Sequence, residues 1–419
     1  MMSDAIVAGA GIWGCTVARR LAEAGRKVLV LEKRAAVGGN CRCEIDPETG
    51  IEIHTYGSHI FHTHNRAVWD FVRQFTEFNG YQHKVLARTR ALPPGASEEA
   101  KSKVEVEGGR TYHLPLGLTL INKFFDVELK PGEVEGFLNE ERRQAIFDAF
   151  FRGYTSKQWG KAPEEIDPSI IKRVPVRNNY DTNYFNDYWQ GIPADGYNKL
   201  FERLLDHPNI TIQCNCELAL ERGKAKSKGE GEQWINSFLS TSTSSLHLYY
   251  SGPIDALFDY KFGALPWRSL RFERETLNCR DFQGTTVMNY TEAEVPYTRI
   301  HEFRHYHPES NGGVNPTIEQ TNNLNNRTII MREYPSEWKL GDEPYYPINN
   351  PESAALLAKY QEEVKKFNHH CTTTTSNYDT LVIGGRLGGY KYYDMDQAMA
   401  AALELPIENS LIHRTNKML

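Results

Sequence analysis

A chain of 419 residues exceeds what one simple hydrophobic core supports and points to about two or three domains. A content of 40% hydrophobic and 11% aromatic residues can build those cores, and a net charge of −6 excludes the basic field of a nucleic-acid binder. No apolar run reaches the ~18 residues of a membrane span, and the opening MMSDAIVAGAG lacks the basic region and cleavage site of a secretory leader, so a cytoplasmic protein is expected.

The segment AIVAGAGIWGCTVARRLAEAGRKVLVLEK reads as a short buried strand from Ala5 to Ala8, a tight turn and a helix bearing Val17, Leu21 and Ala22. A stop at Gly25 and a second strand complete a βαβ unit. RAVWDFVRQF is helical by period, and so is RRQAIFDAFFRGY, which puts Ile146, Phe147, Phe150 and Phe151 on one face. The stretch YTSKQWG, 154–160, shows neither a helix face nor strand alternation. From about Arg268 to Glu333 the runs RSLRFERETL, TTVMNYT, TRIHEFRHY and RTIIMREY alternate like strands of an antiparallel sheet. DTLVIGGRLGGYKYYDMDQAMAAALEL is again strand, glycine turn and helix, so both ends of the chain are expected in one domain. Four polar segments, 93–109, 222–245, 308–326 and 368–377, hold few core formers and are assigned no structure. The seven cysteines include the C-x-C pairs Cys41/Cys43 and Cys214/Cys216, which lack the spacing of a zinc site, so reduced thiols and no metal are expected.

Gly9-Ala10-Gly11-Ile12-Trp13-Gly14 is G-x-G-x-x-G between a strand and a helix, the context in which that pattern binds a dinucleotide. Gly9 permits the turn, Gly11 lets the backbone approach a pyrophosphate, and Gly14 lets helix and strand pack closely. Glu32 lies 18 residues past Gly14, at the end of the second strand, where it can accept hydrogen bonds from a ribose. Gly38-Gly39-Asn40 follows, an extension that resembles FAD-binding proteins of the glutathione-reductase-like class. Near the other end, Gly384-Gly385-Arg386-Leu387-Gly388-Gly389 resembles the second flavin contact of that class. No second G-x-G-x-x-G is present, which argues against a separate nicotinamide domain. Arg173 and Arg177 in KRVPVRNNY and Arg299 in VPYTRIHEF have the fork that matches phosphate oxygens. With Tyr184, Tyr334, Tyr345, Tyr346, Tyr392 and Tyr393 they point to a cleft for a phosphorylated sugar.

The segments VLVLEKRAAVGGN, GIEIHTYGSHIFHT, GYTSKQWG, IIKRVPVR, NYFNDYWQGIP, SGPIDALFDYKFG, VPYTRIHEFRH, GDEPYYPIN and GGRLGGYKYYDM resemble those of bacterial UDP-galactopyranose mutases, especially the actinobacterial type, from residue 5 to about 405. The resemblance implies an α/β flavoprotein in three parts. An FAD-binding Rossmann-like domain would take 1–65, 193–262 and 376–419, and a small helical domain 66–82 and 116–170. An antiparallel sheet lining the substrate cleft would take 83–115, 171–192 and 263–375.

The resemblance also implies isomerisation of UDP-galactopyranose to UDP-galactofuranose, with no net redox change, by attack of N5 of reduced FAD on the anomeric carbon. Around the cofactor it places Lys33, Asn40, His59, Ile60, Arg386, Tyr392, Asp394 and Met395 beside the glycines and Glu32. Arg173 and Arg299 would hold the diphosphate, with Tyr184, Tyr334, Tyr392 and Asp394, and His62 would lie near the flavin ring. Tyr154 would meet the uracil, and Thr155 and Trp159 belong to a mobile loop that closes the cleft. His83 stands where some relatives carry an asparagine near the uracil, and the helical region of 118–150 is shorter than usual, so a monomer or weak dimer is expected. Three other readings stay open: a mutase of UDP-N-acetylgalactosamine or UDP-arabinose, an amine-oxidase-like flavin oxidoreductase, and a non-catalytic nucleotide binder.

Overall fold

The computed structural model describes residues 4–165, 176–221, 224–229, 232–241, 246–310, 312–373 and 378–407. Ala5–Ala8 and Val28–Glu32 are buried at every position, as strands covered on both faces must be. They form the centre of a five-stranded parallel sheet in the order Tyr378–Ile383, Leu246–Tyr250, Ala5–Ala8, Val28–Glu32, Ile210–Cys214. The C-terminal strand thus pairs two places from the N-terminal one. Helices Ile12–Glu23, Tyr197–Leu205 and Met395–Leu403 cover one face through Leu21, Leu200, Leu204 and Met399. The other face is closed by elements the sequence reading did not identify. The hairpin Cys216–Glu221/Lys224–Gly229, helix Glu232–Thr241 and helix Pro351–Thr373 bring Leu218, Ile235 and Phe367 onto Ile6, Leu29 and Leu248. Each such apolar side chain, once buried, contributes about 1.5–3 kcal/mol. A few well-placed residues therefore suffice, and composition alone does not reveal them.

The second layer is a seven-stranded sheet in the order Tyr346–Pro347, Trp267–Leu277, Thr328–Glu337, Arg299–Glu302, Val287–Tyr290, Val85–Thr89, Arg110–Leu114. All neighbours are antiparallel except Val287–Tyr290 beside Val85–Thr89. The run TRIHEFRHY divides, with its strand ending at Glu302 and a 3-10 turn following over Phe303–Tyr306.

Packed beside this sheet, helices Leu118–Phe125, Val134–Phe137 and Glu140–Phe147 enclose their own core of Leu118, Ile121, Phe124, Ile146, Phe147 and Phe150. A π-helical turn over Asp148–Arg152 then leads into helix Gly153–Trp159. YTSKQWG is therefore helical through Trp159, contrary to the sequence reading. Its anchors are polar, so hydrophobic period does not show it. The Lys157 ammonium donates to the carbonyls of Tyr290 and Tyr297 at 2.8 and 2.9 Å, and only Gly153 and Ser156 are buried. Gly153 is needed for the crossing, because a Cβ there would stand 2.3 Å from the Thr291 carbonyl oxygen. Gly160 ends the helix in the left-handed region at φ +63°. Among the described residues no helix is long and apolar enough to cross a membrane.

Candidate active site

The carboxyl ends of the parallel strands converge at one point. Ala8 leads into Gly9, Tyr250 into Ser251 and Ile383 into Gly384, and such convergence is where open α/β sheets bind ligands. The backbone there is packed to the limit. A Cβ on Gly14 would lie 1.9 Å from the Gly9 carbonyl oxygen, and one on Gly39, at φ +56°, would lie 2.8 Å from Gly11 Cα. Helix Ile12–Glu23 starts at Gly11 with no side-chain cap and no acidic residue in its first turn. Its first N–H groups are left for an anion. Glu32 is buried; its Oε2 accepts the Ala10 N–H at 2.7 Å and its Oε1 the Arg34 N–H at 2.9 Å. These two bonds fix the carboxylate and leave further acceptor capacity toward the cleft.

The space along the cleft, its open mouth included, is about 1080 Å³. It runs from Glu32, Lys33, Asn40 and the 216–218 backbone to His59, Arg386, Asp394 and Met395. A dinucleotide fits this shape and donor set. Its ribose would meet Glu32 and its pyrophosphate the start of helix Ile12–Glu23. Trp13, inside the glycine motif, packs against Gly384, where any Cβ would stand 2.1 Å from the indole. Burial and the nearby Arg386 hold His59 neutral, down to about 4. Its Nδ1–H donates to the Gly57 carbonyl at 2.7 Å. Lys33 and Arg34 reach Glu343 at 3.7 and 2.6 Å, and Arg34 donates to Asn40 Oδ1 at 2.9 Å, tying the loop after Trp338 to this rim. Ile60, beside His59, is core rather than lining.

From the far end of the cleft a chain of rings and cations leads into the second sheet. Arg386 donates twice to the Tyr393 carbonyl, at 3.1 and 2.5 Å, and lies 4.6 Å over the Tyr392 ring. Tyr392 stacks on Tyr346, their centroids 5.8 Å apart. Tyr346 in turn lies within electrostatic reach of Arg299, whose Nη2 donates to the Tyr154 hydroxyl. Arg299 faces Glu333, with Nε 3.4 Å from Oε1. Burial works against charge on both partners; their attraction nonetheless carries the guanidinium well above and the carboxyl below its ordinary value. Asp394 caps helix Met395–Leu403, its N–H donating to Gln397 Oε1 at 3.1 Å. Beside this chain the His62 Nδ1–H donates to Asp187 Oδ2, 2.8 Å away, and the ring stacks on Phe185 at 3.7 Å. Phe185 lies 5.5 Å from the His83 ring, and Tyr184 meets His83 edge-on.

Arg299, Tyr154, Tyr392, Arg386 and Asp394 are thus brought together, with His83, His62 and Tyr184 along one side. Tyr334 is not brought to this group. It follows Glu333 on a regular strand and so points to the opposite face, where its hydroxyl donates to Glu273 at 2.6 Å and Arg271 covers its ring. Thr155 and the 42% exposed Trp159 sit on helix Gly153–Trp159, where a closing loop was expected. Arg173 lies outside the described residues. Arg177 holds the carbonyls of Asn183 and Tyr184, so it is spent within the backbone.

The sequence reading missed Glu333, His301, Ser58 and the 216–218 and 251–253 lining. SGP directly after the strand LHLYY was the available signal for the last of these. Two clusters of metal-ligating types occur among the described residues, Cys43/Glu52/His54 and Asp281/Glu302/His305. In the first, His54 Nδ1 accepts the His59 N–H at 2.9 Å, so the neutral ring carries its proton on Nε2 and has no lone pair to give. In the second, the Glu302 oxygens already accept from Phe282, Gln283 and Thr328.

A family model for UDP-galactopyranose mutase matches residues 149–392, and one for NAD(P)-binding Rossmann-like domains matches 7–75. A probable UDP-galactopyranose mutase of Klebsiella pneumoniae is 35% identical over 95% of this chain and 92% of its own length. The chain belongs to the UDP-galactopyranose mutase family. Another relative, a dTDP-fucopyranose mutase of Escherichia coli, is 34% identical over 96% of this chain and 97% of that protein. A UDP-galactopyranose mutase of Mycoplasma pneumoniae is 31% identical over 96% and 94% respectively. A crystal structure of a reduced UDP-galactopyranose mutase shares the fold, with TM-score 0.62 at 16% identity over 99% of this chain and 98% of that one. Like its family, the chain is an enzyme with FAD as its cofactor, the dinucleotide that the glycine cradle fits.

Two outcomes follow from this geometry. Gly14→Ala pushes a Cβ into the Gly9 carbonyl, so the purified variant is expected to lose most of its flavin, read as visible absorbance per chain; a variant as yellow as wild type refutes the cradle. His83 is held neutral, down to about 3 from 6.5, by burial first and by Arg299 and His301 next. Below its ordinary value the unfolded chain takes up a proton that the native state refuses, so stability falls as pH falls. From the unperturbed midpoint to pH 5 this amounts to about 2 kcal/mol. Urea unfolding of the FAD-loaded protein at pH 7 and pH 5 measures it, and His83→Asn is expected to remove that share of the loss. Equal losses in variant and wild type contradict the assignment.

Proposed function

We propose that this enzyme interconverts UDP-galactopyranose and UDP-galactofuranose without net redox change. The observation that carries this reading is the continuity from Arg386 at the end of the dinucleotide cleft, through Tyr392 and Tyr346, to the Arg299 fork beside Tyr154. A sugar diphosphate held by Arg299 would present its anomeric carbon to the cofactor end of the cleft. When bound and reduced, FAD supplies the nucleophile there. The protein's own groups then position and neutralise. Arg299, with Arg173, takes the diphosphate charge, before and after the bond to the sugar breaks. Tyr392 and Tyr184 supply hydroxyls to the same oxygens. Tyr154 offers a ring to the base, with stacking of ~1–3 kcal/mol. Trp159, exposed at the end of its helix, would limit access of water to the reacting carbon on closure. Helix Gly153–Trp159 is tied to the sheet through Lys157, so closure would need a backbone change at Gly160.

A second reading is favoured by the relative named dTDP-fucopyranose mutase, nearly as similar as the first over the same length. Thymine differs from uracil by one methyl group, which an apolar pocket distinguishes by only ~1–3 kcal/mol. Fucose lacks the 6-hydroxyl of galactose, and a site that hydrogen-bonds this hydroxyl discriminates far more strongly. The sugar side of the pocket is therefore the better place to look for the choice. We also propose a cytoplasmic location, a division into the three parts given by the two sheets and the helical subdomain, and a monomeric or weakly dimeric state.

Dithionite-reduced enzyme is to be incubated separately with UDP-galactose and dTDP-fucose, and the products separated by chromatography. A furanose product from UDP-galactose in reduced but not oxidised enzyme is expected. Product from dTDP-fucose alone selects the second reading, and none from either refutes both. Arg299→Ala is expected to weaken UDP binding by ~2–5 kcal/mol, with lysine an incomplete substitute. Light scattering at low concentration tests the assembly, where a persistent dimer refutes the monomer, since stable interfaces bury about 1,000 Å² or more.

A further inference from the structure

The strand pair that carries Arg299 also carries a buried chain of hydrogen bonds. Glu333 lies directly opposite Arg299 across the two strands and is 2% exposed. Its Oε1 faces Arg299 Nε and accepts the Thr298 hydroxyl at 3.2 Å, while its Oε2 is 3.1 Å from His301 Nε2. His301 is wholly buried, and its Nδ1 is 2.5 Å from Ser58 Oγ. The Tyr306 hydroxyl donates to Ser58 in turn.

Counting hydrogens fixes the direction of every link. The phenol spends its one proton on Ser58, and Ser58 spends its one proton on His301 Nδ1. The neutral imidazole therefore carries its hydrogen on Nε2 and gives it to Glu333. All three bonds point at one carboxylate, and none requires a charge on His301. With both oxygens held, the carboxylate cannot turn to take a two-pronged grip on Arg299. It meets only the Nε edge, and Nη2 is left reaching Tyr154.

We propose that His301 is a positioning residue for diphosphate capture: it pins Glu333, and Glu333 so pinned presents the outer edge of Arg299 to the substrate. This rests on the reading of Arg299 given above. Packing alone does not require an imidazole at this position. His301 lies against Phe303 and opposite Met331, where a leucine of similar bulk would avoid burying a polar ring. Replacing the ring by leucine removes one donor from a buried carboxylate. Glu333 is then free to rotate onto Arg299 and draw its fork inward. The effect falls on binding of the diphosphate, not on the cofactor, whose cleft His301 does not line.

His301→Leu, His301→Gln and Glu333→Gln are to be compared with wild type as FAD-loaded enzymes. UDP affinity is measured by titration, and kcat and KM with the nucleotide sugar that wild type accepts. Glutamine can place an N–H near the imidazole Nε2, whereas leucine cannot. His301→Leu is expected to weaken UDP about tenfold or more, raise KM in parallel, change kcat little and keep its flavin. His301→Gln is expected to restore most of the affinity, and Glu333→Gln to lose it. Wild-type affinity in His301→Leu overturns the proposal, and so do equal losses in the leucine and glutamine variants. If the leucine variant fails to fold, retained affinity in His301→Gln with loss in Glu333→Gln supports the proposal, and any other pattern in that pair overturns it. Failure of wild type itself to bind UDP or dTDP is a different result, which removes the functional reading.

Discussion

A carboxylate buried against a half-buried guanidinium is expensive to desolvate, and Glu333 and Arg299 are such a pair. The pair persists because the protein surrounds it with donors. Thr298 and His301 donate to the carboxylate, Ser58 to the imidazole, and Tyr306 to Ser58. Those groups come from three places: the strand of Arg299, the turn after it, and the loop that also carries His59 into the dinucleotide cleft. One electrostatic requirement therefore couples the two sheets. The loop around Ser58 cannot shift for the cofactor without disturbing Arg299, and the sheet cannot slip in register without separating Arg299 from Glu333.

The two layers divide the work by their construction. The parallel sheet brings three strand ends to one point and offers glycine backbone, a helix terminus and one carboxylate, all suited to a dinucleotide that carries its own chemistry. The antiparallel sheet alternates its side chains, so one face can collect charged and aromatic groups while the other stays free for solvent contacts. Arg299 and Glu333 lie on the first kind of face and Tyr334, with Arg271 and Glu273, on the second. The segment Gly385–Asp394 crosses between the layers and places Arg386 and Tyr392 where they meet.

Local rules made the first layer legible. Gly9, Gly11 and Gly14 announce a close approach that depends on near neighbours in sequence, and Glu32 follows at a fixed distance. The strands around Arg299, Met288 and Ile330 were legible from alternation as well. What sequence alone hid depends on pairing between distant residues. Glu333 looks like any acidic residue in a strand until register sets it opposite Arg299, and His301 looks like a surface histidine until Ser58 comes in from 243 positions away. Helix Gly153–Trp159 escaped for another reason. It is fastened by an ammonium and a bare glycine rather than by an apolar stripe, so the 3.6-residue signal never forms. Helices 98–107 and 318–324, in segments assigned no structure, are held by serine and threonine caps, whose weight a composition argument cannot see.

The histidines of this region show how a cationic site is kept from overcharging. Burial holds His54, His59, His83 and His301 below their ordinary value, so they are neutral where a surface histidine would begin to charge. Each still forms hydrogen bonds, but none adds a positive charge to Arg299 and Arg386. Glu333 opposes Arg299, so the attraction for an anion there resides in fork geometry more than in accumulated charge. That arrangement suits the proposed reaction, in which the diphosphate is held while its bond to the sugar breaks and is then available to re-form it. A surplus of buried positive charge would favour the separated diphosphate too strongly, because binding that is strongest in an intermediate state slows every step that leaves it.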